Sequence, residues 1–225
     1  MHVKRRSGSS GVMGQLNAAI VTVTPFQQNC TILFDAETKH GVVVDPGGEV
    51  DRIRKLIEDN GLVIEAIWIT HGHIDHAGGA MDLKEALGVD IIGPHEADAP
   101  MLDNLEAQAA RYGIVDGVRN CTPDRFLAEG EVVSFGDHSF KVLHCPGHAP
   151  GHIVFYNDAA KFAHVGDVLF QGSVGRTDLP GGDHAALMRS IKEKLLPLGD
   201  DIGFICGHGP GSRFGVERRT NPFLV

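Results

Sequence analysis

Apolar residues in this chain recur at two spacings. β-Branched and aliphatic residues run together over 18–23, 29–34 and 41–44, bounded by Pro25, by the polar segment 35–40 and by Asp45-Pro46-Gly47-Gly48. Runs of that length read as strands, and the Asp-Pro-Gly-Gly segment as a tight turn. The spacing then changes. Val50, Ile53, Leu56 and Ile57 fall at helical intervals across 49–60, and Gly61 stops the helix. A buried strand is expected at 64–70, a short helix at 79–87 and a short strand at 89–92. Residues 95–112 suit a helix in composition but lack a clean apolar period and begin acidic, which predicts a helical insertion or lid. Beyond Pro123, short strands are expected at 131–135, 139–144, 152–156 and 161–164. A helix at 183–196 can be capped by Asp183 and carries Leu187, Ile191, Leu195 and Leu196 on its apolar side. The last buried strand is expected at 202–206.

Each half of the chain therefore runs several strands, then a helix, then an apolar strand that ends in a glycine-framed histidine loop. Sheets with helices outside them are the economical packing of such a series.

Composition narrows the function classes. The formal charge is −9, from 29 acidic against 20 basic residues, which argues against a broad nucleic-acid or anionic-membrane surface. No apolar run is long enough to span a bilayer. Cys30, Cys121, Cys145 and Cys206 show neither CxxC pairing nor a disulfide framework, so a reducing, cytoplasmic setting is expected. The basic, Gly/Ser-rich start predicts a flexible N-terminal arm or expression-tag remnant over 1–14, followed by a single domain over 15–225. No oligomeric state is assigned.

Thirteen histidines are the anomaly. Four segments share one design, an apolar strand that stops at a polar residue framed by glycine. They are Thr70-His71-Gly72-His73-Ile74-Asp75-His76, His144-Cys145-Pro146-Gly147-His148, Val165-Gly166-Asp167 and Cys206-Gly207-His208. Loops at strand ends carry function on a rigid scaffold, and imidazoles crowded with carboxylates suit a transition metal. His71, His73, His76, His148 and His208, with Asp75 and Asp167, offer seven donors, too many for one four-coordinate ion. Two ions sharing one carboxylate, roughly 3.5–4 Å apart, would use them all. His152 reads as a supporting hydrogen-bond partner rather than a ligand. His144 and His164 read as structural, and His2, His40, His95, His138 and His184 as ordinary polar positions.

On these segments the chain resembles the metallo-β-lactamase superfamily, whose HxHxDH signature is His71 to His76. Within it, the chain resembles glyoxalase II (hydroxyacylglutathione hydrolase) in the short, single-domain type without a C-terminal helical domain. The resemblance implies an α/β (α+β) fold, a four-layer αββα sandwich of two mixed β-sheets flanked by helices. It implies one metal at His71, His73 and His148, a second at Asp75, His76 and His208, and Asp167 bridging them. Zn is the first expectation, with Fe or Mn as alternatives. It gives Asp45 a supporting role behind the histidine loop and matches Arg176 to a basic residue that contacts a glutathione carboxylate, while a loop-stabilising ion pair with Asp178 is an equal reading of Arg176. The expected reaction is thioester hydrolysis by a metal-bound hydroxide that Asp75 helps hold, on S-lactoylglutathione or a related hydroxyacylglutathione. A thiol of pKa about 8.5 can leave as thiolate without a protein acid. Alternatives on the same fold are a mononuclear iron persulfide dioxygenase, another metallo-hydrolase (lactonase, nuclease or β-lactamase), and a non-catalytic metal-binding protein. Asp178 stands where a neighbouring tyrosine is expected.

Overall fold

The computed structural model describes residues 14–114 and 116–225. Most of the arm expected at 1–14 lies outside the described residues. The first sheet runs β1 (Leu16–Val23), β2 (Gln28–Asp35), β3 (His40–Val44), β4 (Val63–Trp68) and β5 (Asp90–Ile92), neighbours in that order. β1, β2 and β3 pair antiparallel, and β3, β4 and β5 pair parallel. The parallel links are crossovers through helices, as parallel pairing requires. α1 (Val50–Asp59) joins β3 to β4, while α2 (Ile74–Ala77) and α3 (Ala80–Leu87) lie between β4 and β5.

After β5 the expected helical insertion is broken. A 3₁₀ turn at Glu96–Asp98 leads to α4 (Ala99–Leu102) and then α5 (Leu105–Arg111). Pro100 has no N–H to continue a helix through it, and Asn104 turns its side chain back onto the Pro100 carbonyl at 2.8 Å.

The second sheet contains β6 (Val132–Phe135), β7 (His138–His144), β8 (Ile153–Asn157) and β9 (Phe162–His164) as antiparallel neighbours. A two-residue hairpin, β10 (Leu169–Phe170) with β11 (Ser173–Val174), stands apart from it. α6 (His184–Arg189) opens on Asp183, whose carboxylate accepts from Ala186 N at 2.9 Å. The helix then widens into π turns over Ser190–Leu195 rather than staying α to its end. Its docking accounts for the widening: Ser190 Oγ donates to the Pro146 carbonyl at 2.8 Å and Lys194 Nζ to the His144 carbonyl at 2.6 Å. β12 (Gly203–Ile205) pairs parallel to β9, β13 (Ser212–Arg213) closes that edge, and α7 (Phe214–Thr220) follows. β13 and α7 fall in a stretch where no element was expected.

Three apolar clusters set the four layers. Ile32, Val43, Ile67 and Ile91 face α1 and α3 through Ile53, Ile57, Ala80 and Leu83. Val154, Ala163 and Phe204 face α6 through Leu187 and the π turns after it through Ile191. Between the sheets, Trp68 lies stacked on Phe155, ring centroids 4.8 Å apart, with Phe140 edge-on at 5.3 Å. Side chains on opposite faces of each strand thus fill different layers. The structure is the expected αββα sandwich. The C-terminal ends of β3, β4, β7, β9 and β12 open at one edge of it. There the sheets are laced together by Ile153 N to the Thr70 carbonyl at 2.8 Å and Asn29 N to the Gly207 carbonyl at 2.7 Å.

Candidate metal centre

All four glycine-framed segments meet at this edge. The donor atoms of His71, His73 and His148 lie within 4.8 Å of one another, as do those of Asp75, His76 and His208. Asp167 stands between the groups. Its carboxylate oxygens are 3.5 Å from His148 Nε2 and 3.4 Å from both His76 Nε2 and His208 Nε2. Asp75 Oδ2 is 3.2 Å from His208 Nε2.

The proton positions follow from what the far side of each ring touches. His76 Nδ1 faces Asp45 Oδ2 at 2.8 Å, His148 Nδ1 the Arg176 carbonyl at 2.8 Å and His208 Nδ1 the Phe26 carbonyl at 3.1 Å. His71 Nδ1 lies 2.9 Å from Thr70 Oγ1, whose own proton goes to Asp45 Oδ2 at 2.6 Å. Each of these rings therefore donates through Nδ1 and points Nε2 inward. The second ring of the signature, His73, instead turns Nδ1 inward, 3.0 Å from His148 Nε2.

Burial sets the electrostatics. Burial, reinforced by His76 and His152, holds His71 well below the ordinary imidazole range. Burial and His148 push His73 down to about 3, and burial lowers His148 as well. These three imidazoles are neutral donors. On His76 burial also opposes charge, but Asp167, Asp75 and Asp45 outweigh it and raise its pKa. His208, opposed by burial, is lifted to about 9 by Asp167 and Asp75. The negative charge on this side favours a cation.

Three buried atoms, His71 Nε2, His76 Nε2 and Asp167 Oδ1, have no hydrogen-bond partner. An unpaired buried polar atom costs about 1–3 kcal/mol, and a divalent cation satisfies lone pairs of this kind. The set is imidazole and carboxylate without thiolate, suited to Zn, Fe or Mn. Backbone shape agrees. A Cβ on Gly207 would run into Asp167 Oδ1 and come within 2.6 Å of His76 Cε1, so only glycine lets this loop pass under the donors.

Asp45 also falls within donor range of His71 and His76, but both its oxygens are already engaged. It accepts from Thr70 N at 2.7 Å, from Thr70 Oγ1 and from His76 Nδ1, which makes it a support for the donors. Its backbone sits at φ 54°, a region non-glycine residues rarely adopt. His152 stacks on His71 at 4.6 Å between centroids and accepts from Asp167 N at 3.0 Å, so it braces the Asp167 loop. His164 is buried, 3.2 Å from Thr31 Oγ1 across the sandwich. His144 bonds to the Pro150 carbonyl and stacks on His95 at 4.1 Å. One position departs from its sequence reading. His138 is not an ordinary polar residue but a buried one, bonded to Asp35 at 2.9 Å.

Several contributors carried no sequence signal of their own. Asp98, fully buried, accepts from Gly72 N at 2.8 Å and Gly151 N at 2.5 Å, tying both ligand loops together. Burial lifts its pKa to about 6 against the pull of those two N–H groups. The carbonyls of Phe26 and Arg176 orient His208 and His148, a role any residue type could fill.

A cleft of about 1060 Å³ lies over the centre, bordered by His73, Asp75, Phe26, Tyr112, Arg111 and Arg176 among others. Arg176 is exposed and makes a bidentate pair with Asp178, both bonds 2.7 Å.

A sandwich of this topology with a His/Asp cluster at its open edge defines a metal-binding α/β protein of one well-populated class. The family model of the metallo-β-lactamase superfamily matches residues 23–208, and the chain belongs to that superfamily. It is 47% identical over 210 residues to hydroxyacylglutathione hydrolase GloC of Haemophilus influenzae, covering 93% of this chain and 98% of that protein. Among solved structures it resembles TTHA1623 in a di-iron-bound form, with 40% identity, a TM-score of 0.83, and 92% of this chain and all of that one covered. It also resembles the B3 metallo-β-lactamase BLEG-1, with 32% identity, a TM-score of 0.85 and coverage of 93% and 100%. Among the described residues no helix is long and apolar enough to cross a membrane.

Proposed function

We propose that the protein is a metal-dependent hydrolase and, more specifically, that it cleaves a glutathione thioester of a 2-hydroxy acid, S-lactoylglutathione or a close relative, at a dinuclear centre. The likeness to hydroxyacylglutathione hydrolase GloC supports the reaction class. The observation that carries the dinuclear reading is Asp167, within 3.4–3.5 Å of His148 on one side and of His76 and His208 on the other.

His71, His73 and His148 would hold one ion, Asp75, His76 and His208 the other, and Asp167 both. Bound divalent ions, Zn first and Fe or Mn as alternatives, would acidify water toward neutral pH and polarise a carbonyl oxygen. The chain's own residues do the rest. Asp75 borders the cleft, where its carboxylate can accept a hydrogen bond from the attacking water and fix its orientation. Asp45 and Thr70 hold His71 and His76 in the tautomers that leave Nε2 free. Phe26 and Tyr112, edge-to-face at 5.3 Å, form an apolar part of the mouth that limits bulk water. The leaving thiolate needs no protein acid, since a thiol of pKa about 8.5 is a fair leaving group near neutral pH. Four buried free cysteines support a reducing, cytoplasmic setting.

The test is release of free thiol from S-lactoylglutathione by metal-replete protein, with metal content measured on the same sample. Thiol release with close to two ions per chain is expected. No thiol release would sink the thioesterase reading. Oxygen uptake on glutathione persulfide with a single iron per chain would replace it with a dioxygenase, and turnover confined to a β-lactam would replace it with a lactamase.

A further inference from the structure

Two guanidinium groups border the cleft, Arg111 at the end of α5 and Arg176 on the loop after the β10–β11 hairpin. They differ in what they already hold. Arg176 donates through Nε and Nη2 to both oxygens of Asp178. A closed bidentate pair presents little net charge, and a new carboxylate would have to displace two charge-assisted bonds. The Arg176 carbonyl meanwhile accepts from His148 Nδ1, so the backbone of this residue already serves the site.

Arg111 has neither constraint. Among the described residues it has no carboxylate within ion-pair distance and no side-chain hydrogen bond, and residues 1–13 and 115 contain no acid. The chain beside it has a contact of its own at the mouth. The next residue, Tyr112, packs edge-to-face on Phe26 at 5.3 Å, and the Phe26 carbonyl orients His208. Tyr112 and Arg176 both line the cleft, so the end of α5 and the Arg176 loop share its mouth. An unpaired guanidinium lining the cleft is free to take a carboxylate through two parallel bonds.

We infer that Arg111, not Arg176, holds a carboxylate of the peptidic thiol half of the substrate. The inference rests on the glutathione-thioester reading and names its specificity-determining residue. Arg176 then serves the site through its backbone, positioning His148, while Asp178 keeps its side chain out of the ligand's way.

Binding, which needs no turnover, separates this from the hydrolase reading. The probes are S-methylglutathione, a thioether that cannot be hydrolysed, and its dimethyl ester, titrated calorimetrically into metal-replete protein. Arg111→Ala should weaken S-methylglutathione by about tenfold, the loss of one charge-assisted contact. Arg111→Lys should recover part of the loss, and Arg176→Ala should change it less than twofold. The ester should bind wild type and Arg111→Ala alike. The inference is overturned if Arg111→Ala binds the acid like wild type, if the loss falls on Arg176→Ala, if acid and ester weaken equally, or if wild type binds neither. Arg111-dependent binding without thiol release from S-lactoylglutathione would sink the hydrolase reading and leave the carboxylate subsite standing.

Discussion

Thr70 holds a carboxylate and an imidazole in register with one hydroxyl. Its proton goes to Asp45 at 2.6 Å, which leaves its oxygen to accept from His71 Nδ1 at 2.9 Å. That order puts the His71 lone pair on Nε2, the atom left without a partner. Thr70→Val keeps the shape and removes the relay. The protein should stay folded and lose roughly 10–100-fold in metal affinity, the usual cost of removing a partner behind a metal donor. Thr70→Ser should keep most of it. Competition against a chelator reads the change, and unaltered affinity in the valine variant would show that the relay sets nothing. At this scale the legible residues were those whose chemistry is in the side chain. His71, His73, Asp75 and His76 stand within six positions, so their density was itself the signal. The acceptors behind His148 and His208 are main-chain carbonyls of Arg176 and Phe26. No side-chain type marks such a carbonyl, so only the fold reveals it.

Elements brought the donors together, and one element does so from outside the sheets. The segment between β5 and β6 read as a poorly periodic helix. It folds as three short pieces because Pro100 and Asn104 interrupt it and because Asp98 must point inward. A carboxylate accepting Gly72 N and Gly151 N pins the His71–His76 loop against the one that carries His148. Asp98→Ala leaves two buried N–H groups unpaired, which should cost about 2–5 kcal/mol. Its distinguishing mark is where the loss appears. Native-state hydrogen exchange should show early opening of both glycine loops, while the cores of β2 and β8 exchange at the slowed limit of global unfolding. Uniform loss of protection across both sheets would mean Asp98 is only a buried acid. Helix 183–196 was legible in its start and its apolar side but not in its π turns. Those answer to Ser190 and Lys194 reaching the 144–146 backbone, a tertiary demand no local period encodes. β10, β11 and β13 are two residues long, below the length at which alternation can register.

The molecule as a whole is a sandwich pinned at both ends. That helices flank sheets was legible in the succession of strand and helix runs, and the four layers in the family resemblance. The way its ends are tied was not, since each tie joins residues distant in sequence. At the open edge the ties are Ile153 N to the Thr70 carbonyl and Asn29 N to the Gly207 carbonyl, beside the candidate metal centre. At the other end, where β2 finishes and β7 begins, the tie is Asp35 and His138, one from each sheet, bonded at 2.9 Å and buried. Asp35 also accepts from the backbone N–H groups of Thr38 and Glu37 at 2.8 and 2.9 Å. Thr38 N–H is the main reason its pKa falls to about 2, and burial, which opposes the shift, is outweighed with help from His138. The sign follows from the folded value lying below the unfolded one, near 3.9. The ionised carboxylate favours the folded state above pH 4, and that contribution fades as pH falls toward 2. Asp35→Asn should therefore destabilise the protein by about 2 kcal/mol at pH 7, and the gap to wild type should shrink to roughly half by pH 3. Urea unfolding of both proteins between pH 7 and pH 3 measures it. Because the pair lies at the end remote from the metal centre, metal affinity at neutral pH should be unchanged, which separates this tie from the one formed by Asp45 and Thr70. A gap that stays constant down to pH 3 would mean that shape, not charge, joins the two sheets here.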